Sequence, residues 1–528
     1  MISDTDRDNI RAHKLRLMSN MPRSAFNQMR YTFSHKLDLD SLYMTDRRLA
    51  LLSGVTPVLI DCCVNSCIAY TRKYANYVDC PYCGESRRSN QRPRRQFSYL
   101  PLVPRLRGFF QNPKMIHQLG YRMRFAPSVD GIRDVFDSEM YKELCDEFVH
   151  VDGAPRSYKF FEGKHDIALS LCMDGYLIFG KRGRQNGPSA TPIVLQVYNL
   201  PPNIRTHLDH LIPMGIIPGP NQPRDWGSYL APVDDELVTL ANGVPTYDCV
   251  DQELFMLRAY LLYELGDMVA INKILGIRGH NAFAPCRSCH IKGHRNATGG
   301  DTNYYVPLNA PRIAGQKNRF WDPAKLPMRS HEDYVDSLKQ MANAPNPTAR
   351  EKIGFDQGLR EPPLLRRINS LDFARSVPWD FMHLIMENIC PLLVDHWTGK
   401  FKHLDAGSGD YEITSDVWDQ IGVETAEAVK SIPAAFVRVL PNIATDRSSF
   451  TAESWCFWFL YLAPALLKGR FQHNKYYQHL CEFVNIIKTC LRFSITHQEI
   501  DELQREIFAW VQDYEKYVYH FVYYDLSN

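Results

Sequence analysis

The sequence carries almost no net charge: 61 Lys and Arg stand against 59 Asp and Glu, leaving +2 over 528 residues. A global field that would gather nucleic acid is absent, so any contact with DNA has to come from local patches. Also lacking is an apolar run near the ~20 residues a membrane helix needs. The longest, around Phe457 to Leu467, reads as a buried helix. The opening Met-Ile-Ser-Asp-Thr-Asp-Arg-Asp has no apolar leader core, which argues against secretion and leaves the cytosol or nucleus. There is no internal repeat. The 14 cysteines of a chain placed inside the cell argue against a disulfide framework.

The cysteines cluster, and the clustering carries the chemistry. Cys63-x3-Cys67 and Cys80-x2-Cys83 have the layout of a zinc ribbon, in which two close pairs let four thiolates close a tetrahedron around one Zn²⁺. Gly84 allows the tight turn after the second pair, and Cys62 is an alternative to Cys63. Cys286-x2-Cys289 is half of a second site, with His290, His294, His383 and Cys390 as candidates to complete it. A redox pair is the other reading, but the βαβ context of such pairs is missing. Cys145, Cys172, Cys249, Cys456, Cys481 and Cys490 stand alone and read as small buried hydrophobes. Beside the ribbon, Arg87, Arg88, Arg92, Arg94, Arg95, Arg105 and Arg107 run without an intervening acid, with Phe97, Tyr99, Phe109 and Phe110 among and after them. That pattern suits phosphate-backbone contact, or else a solvated linker.

The texture divides the chain into five parts. Residues 1–55 read as a helical segment and 56–115 as the zinc-ribbon and basic segment. Residues 116–290 read as a strand-rich core, 291–445 as an insertion and 446–528 as a closing helical section. In the core, Ile-Ala-Leu-Ser-Leu-Cys-Met (167–173) and Pro-Ile-Val-Leu-Gln-Val-Tyr (192–198) are strand-like. Leu-Ile-Pro-Met-Gly-Ile-Ile (211–217) is a third strand, expected at an edge because of Pro213. A helix is expected over 225–241, a long apolar run over 255–265 and another helix over 268–275. Residues 295–370, rich in Pro, Asn, Gly and Arg, look loop-rich. Over 496–524, Ile500, Leu503, Ile507, Trp510, Val511 and Tyr514 recur at helical spacing.

Two carboxylates end apolar strands: Asp174, before Gly175, and Asp267, after Gly266. Such positions project from a sheet edge, where ligands collect in α/β folds. Paired carboxylates there can hold divalent ions for phosphodiester chemistry. The plainer reading is a turn at Asp174 and a helix N-cap at Asp267.

Several ordered motifs resemble one family. His165-Asp-Ile-Ala-Leu-Ser-Leu-Cys-Met-Asp174-Gly-Tyr resembles the segment carrying the first catalytic aspartate of CACTA (En/Spm-like) DNA transposases, fungal members most closely. Leu257 through Asp267-Met-Val-Ala, then Gly279-His-Asn and Pro285-Cys-Arg-Ser-Cys289, resembles their second aspartate and its CxxC. Met382-His383 through Glu387-Asn388-Ile-Cys390 resembles a later Met-His…Asn-Val-Cys segment, with a longer His-to-Asn spacing than in plant members. Cys80-Pro-Tyr-Cys83-Gly-Glu-Ser-Arg87 resembles the zinc-ribbon entry. The resemblance runs from about Cys63 to Tyr517.

It implies an α/β, RNase H-like (DDE/D integrase-type) core with a large insertion, an N-terminal zinc ribbon and a helical C-terminal section. It implies two-metal chemistry with Mg²⁺ (or Mn²⁺) at Asp174, Asp267 and a third carboxylate. Glu453, opening an apolar helix, is the chosen third group and Glu387 its rival. It further implies Zn²⁺ at Cys63, Cys67, Cys80 and Cys83, and a second Zn²⁺ at Cys286, Cys289, His383 and Cys390. The implied partners are transposon terminal repeats and target DNA, bound by a homo-oligomer in the nucleus, without a membrane. Family members often continue past the point where this chain ends, so a fragment or decayed copy is one expectation. An inactive, transposon-derived zinc protein that binds DNA, or a zinc-scaffolded interaction protein, are the other readings.

Overall fold

In the computed structural model the described residues are 2–177, 189–295, 304–309, 320–401, 409–433, 435–436 and 440–519. The fold is mixed α/β, with one seven-stranded sheet and many helices. It divides into two units. Unit 1 comprises Met1–Phe125, Leu144–Leu262 and Leu365–Ser370. Unit 2 comprises Ala126–Glu143, Tyr263–Leu364 and Leu371–Asn528.

The sheet belongs to unit 1 except for the last three residues of its final strand, Tyr263–Leu265. Its strands are β1 (Val58–Asp61), β2 (Gln96–Tyr99), β3 (Ile167–Met173), β4 (Tyr176–Leu177), β5 (Ser189–Val197), β6 (Ile212–Pro218) and β7 (Ala259–Leu265). They lie in the order β1-β2-β6-β5-β3-β7, with β4 beside β5. Neighbours from β1 to β3 are antiparallel. The N–H of Ile167 donates to Arg258 O at 2.9 Å, so β3 and β7 start side by side and run in the same direction. The unbroken apolar run of β3 follows from burial on both faces: Ile167, Ala168, Leu169 and Leu171 are all inaccessible. In β5, Ile193, Leu195 and Val197 alternate into the core.

The expectation that 211–217 forms an edge strand is corrected. β6 lies inside the sheet, between β2 and β5. A proline is tolerated there because the ladder is interrupted around it. The β5–β6 register shifts between Ile193 and Val194, opposite Pro213, and pairing with β2 is confined to Gly215 and Tyr99. Gly215 is required by that close approach, since a Cβ would stand 2.7 Å from Ser98 O and 2.8 Å from the Phe97 ring.

The helix Trp226–Asn242 contains Pro232, which has no N–H for the carbonyl of Ser228 four residues earlier. The Thr71 hydroxyl supplies that hydrogen bond instead, at 2.6 Å. Asp225 caps the helix through the Ser228 N–H and also accepts from the Tyr74 hydroxyl at 2.8 Å. Glu236, on the same helix, accepts the N–H groups of Leu102 and Val103 and so caps the helix Leu102–Phe109.

Unit 2 is mainly helical. Trp397, Trp418, Trp455, Trp458, Phe459, Phe483 and Trp510 form its core, which includes the apolar run near 457–467. The amphipathic stretch is helical over His497–Tyr514 and continues as a π-type turn to Tyr519; residues 520–524 lie outside the described residues. Within 295–370, where loops were expected, the helices His331–Ala342 and Pro347–Gln357 form. The first opens on a Ser330/Asp333 capping box, and Pro347 occupies the first turn of the second, where its missing N–H costs nothing. No described helix is long and apolar enough to cross a membrane.

Candidate metal centres and DNA contacts

The four ribbon cysteines converge in unit 1. One sulfur from each of Cys63, Cys67, Cys80 and Cys83 lies within 4.8 Å of the others, and Cys63 and Cys83 are 3.4 Å apart. Sulfurs ~2.3 Å from a shared tetrahedral ion stand about 3.8 Å apart, so this all-sulfur set could bind zinc. Each pair sits in a tight turn closed by a β-bridge, Cys62 to Ala69 and Asp79 to Ser86. Ser66 (φ +66°) and Gly84 (φ +72°) supply the left-handed corners. Burial pushes the Cys63 thiol up to about 11. At exposed Cys83 burial is outweighed by the Glu85 N–H, Cys63 and Asn65, which bring it down to about 7. Cys62 is not part of the set. It is fully buried and pushed up to about 11 by that burial, against a hydrogen bond with Tyr229.

The ribbon is docked within unit 1 on the start of the helix Trp226–Asn242. The Cys67 carbonyl accepts the N–H groups of Arg224 and Asp225, and the Tyr229 hydroxyl reaches the carbonyls of Ser66 and Ile68. Four arginines of the basic run serve this architecture. Arg87 pairs with Asp61 at 2.7 Å, and Arg94 with Glu85 at 2.5 Å. Arg95 donates to Val64 O, and Arg105 to the carbonyls of Leu100, Pro101 and Pro213. Arg88, Arg92 and Arg107 are exposed, Arg88 also standing 3.7 Å from Asp61.

Asp174 directly follows β3 in unit 1 and is exposed. Asp267 is half-buried in unit 2. Its Oδ1 accepts the Ala270 N–H at 2.6 Å, so the capping reading of this residue holds. Asp267 also acts on His383 of the same unit. That ring stands between two carboxylates, with Nδ1 2.8 Å from Asp380 and Nε2 3.8 Å from Glu387. Burial lowers its pKa, but Asp380 first, then Glu387 and Asp267, carry the net shift upward. His383 and Glu387 lie on Met382–Ile389, a segment wound as a π-helix, a form found frequently at functional sites. Glu453 is exposed in the first turn of Ala452–Phe457, a helix that packs against that segment.

The expected second zinc set is not brought together. Cys289 and Cys286 face one another; the Cys289 thiol hydrogen-bonds the Cys286 sulfur and is the main cause bringing it down to about 6. The buried Arg329 holds their turn by donating to the carbonyls of both, at 3.1 Å each. The His383 ring faces Asp380 and Glu387, and among the described residues no converging set of three donors includes it. Cys390 is fully buried in the apolar core, where burial pushes its thiol well up. His290 pairs with Asp333 at 3.3 Å. Among the described residues only one further set of three donors converges, His165, Asp248 and Asp251. The sequence offered His165 only as part of a longer motif, and Asp248 and Asp251 lie in a turn that looks like any other.

Residues 143–353 match the family model described as "Transposase family tnp2".

The match supports a transposase family and, through it, implies DNA binding. It covers both Asp174 and Asp267, the CxxC pair and His165. No curated protein matches the chain.

Proposed function

We propose that this chain is a DNA transposase of the CACTA type that cleaves transposon ends and transfers them into target DNA in the nucleus, as a homo-oligomer. The observation that carries the reading is the tnp2 match over residues 143–353. The strand succession supports an RNase H-like core: three antiparallel strands, β6-β5-β3, followed by β7 running alongside β3. Asp174 and Asp267 follow the two members of that last pair. Both offer hard oxygen donors, the ligand type Mg²⁺ or Mn²⁺ takes. When bound, such ions activate water and neutralise charge on the leaving oxygen.

The protein's own part is to aim such carboxylates. Asp267 is oriented by the Ala270 N–H, which leaves its second oxygen for a ligand. The third carboxylate is proposed to be Glu453. The link from Asp267 to His383, whose ring faces Glu387, favours Glu387 as the second reading. Exposed Arg88, Arg92 and Arg107 are proposed to meet the DNA backbone.

The test is cleavage of a DNA end from the flanking element by the full chain in Mg²⁺. Cutting that disappears in Asp174→Ala is expected. DNA binding with no cutting would identify an inactive DNA-binding relative, and cutting unchanged in Asp174→Ala would overturn the site.

A further inference from the structure

His165, Asp248 and Asp251 each offer one ligand atom, and these atoms lie within 4.8 Å of one another, all in unit 1. His165 stands two residues before β3 and packs against the rings of Phe110 and Phe255, with centroids 5.1 and 4.6 Å away. Asp248 ends the strand Val244–Asp248 and is fully buried. Its Oδ1 closes the following turn, accepting from the N–H groups of Val250 at 2.8 Å and Asp251 at 3.1 Å. Its Oδ2 is buried, has no hydrogen-bond partner, and faces His165 Nε2 at 3.3 Å.

A carboxylate oxygen left in that state is costly, and a cation is what relieves it. The nitrogen that faces it, His165 Nε2, stands 3.3 Å away without a hydrogen bond between them. A neutral ring nitrogen is a metal ligand. The separation also fits: two donors ~2.0–2.1 Å from a tetrahedral ion stand about 3.3 Å apart. Asp251 completes the set from the surface. It is held at 2.6 Å by Lys164, an exposed partner that an incoming ion can displace into solvent.

We propose that His165, Asp248 and Asp251 bind a divalent transition-metal ion of the zinc class through one imidazole nitrogen and two carboxylate oxygens, with water completing the shell. The imidazole disfavours Mg²⁺, and the absence of sulfur separates this site from the cysteine set. The ion would pin the turn after Asp248 to the entry of β3, the strand that leads to Asp174.

The full chain, purified with zinc in its cysteine site, can be titrated with Co²⁺ in excess Mg²⁺ and followed by visible absorption. One sulfur-free Co²⁺ per chain is expected, showing d–d bands without a thiolate charge-transfer band. Asp251→Asn, at an exposed position, should abolish that signal while leaving the cysteine-site zinc in place. His165→Gln should do the same. Absence of a sulfur-free signal in the unmodified chain, or its persistence in both variants, overturns the proposal.

Discussion

Glu264, a buried acid, lies on β7, three residues before Asp267. It is 2% accessible, and its Oε1 has no hydrogen-bond partner. Burial alone pushes its carboxyl from the ordinary 4.5 up to about 8. The folded chain therefore holds a proton there that the unfolded chain has released. The stabilising proton is fully in place below pH 4.5; stability is lost as pH rises from there and stops falling near pH 8. At ~1.36 kcal/mol per unit, the contribution of this one group changes by roughly 4 kcal/mol between pH 5 and pH 9. Glu264→Gln keeps the shape and removes the titration, so the difference between the two proteins isolates the group. Urea unfolding at both pH values should show the variant gaining on the parent by about that amount at pH 9. A difference that stays constant between pH 5 and pH 9 would refute the reasoning, because it would mean Glu264 is ionised in the folded chain at both.

Other outcomes follow from the sites. Cys80→Ser should remove the thiolate-bound zinc, measured by metal analysis, and open residues 60–90 to protease; structural zinc contributes on the order of 10 kcal/mol in small zinc domains, comparable to a whole domain's stability. Replacing Arg88, Arg92 and Arg107 with Ala should flatten the salt dependence of DNA affinity by up to ~0.9 per lost phosphate contact in log–log slope, with little change in melting. Arg95→Ala should instead destabilise the fold, because Arg95 braces Val64 O. Glu453→Gln and Glu387→Gln, compared in the DNA cleavage assay, separate the two candidate third ligands. The true ligand should lose more than the ~10–100-fold that an outer-shell partner is worth, and the other should not.

What could be read from the sequence is what local spacing determines. The ribbon cysteines are close in sequence, so their tetrahedral layout was visible before any fold was known. The β3 segment was legible because burial on both faces leaves an unbroken apolar run. Pro213 misled because a residue cannot report that its partner strand bulges, and Pro347 looked like loop chemistry although it opens a helix. The basic run could not be sorted by inspection. Part of what distinguishes Arg105 from exposed Arg107 is the Pro213 carbonyl, more than one hundred positions away. The same distance defeated the second zinc set. Cys286 and Cys289 announce themselves, but their spacing does not say which distant residue, if any, joins them.

The hydroxyl that Thr71 lends to the Ser228 carbonyl has a consequence for how such chains can be recombined. A helix with Pro232 in its body has a vacancy in its own ladder, and the ribbon turn fills it from outside. Cys67, Tyr74 and Asp225 add further attachments at the same helix end. Ribbon and helix are thus parts cut to one another. A ribbon transplanted from a relative would need a hydroxyl at position 71 and an aromatic at position 74 to seat here. Over descent the two segments should travel as a single heritable piece, even though some 150 residues of chain lie between them.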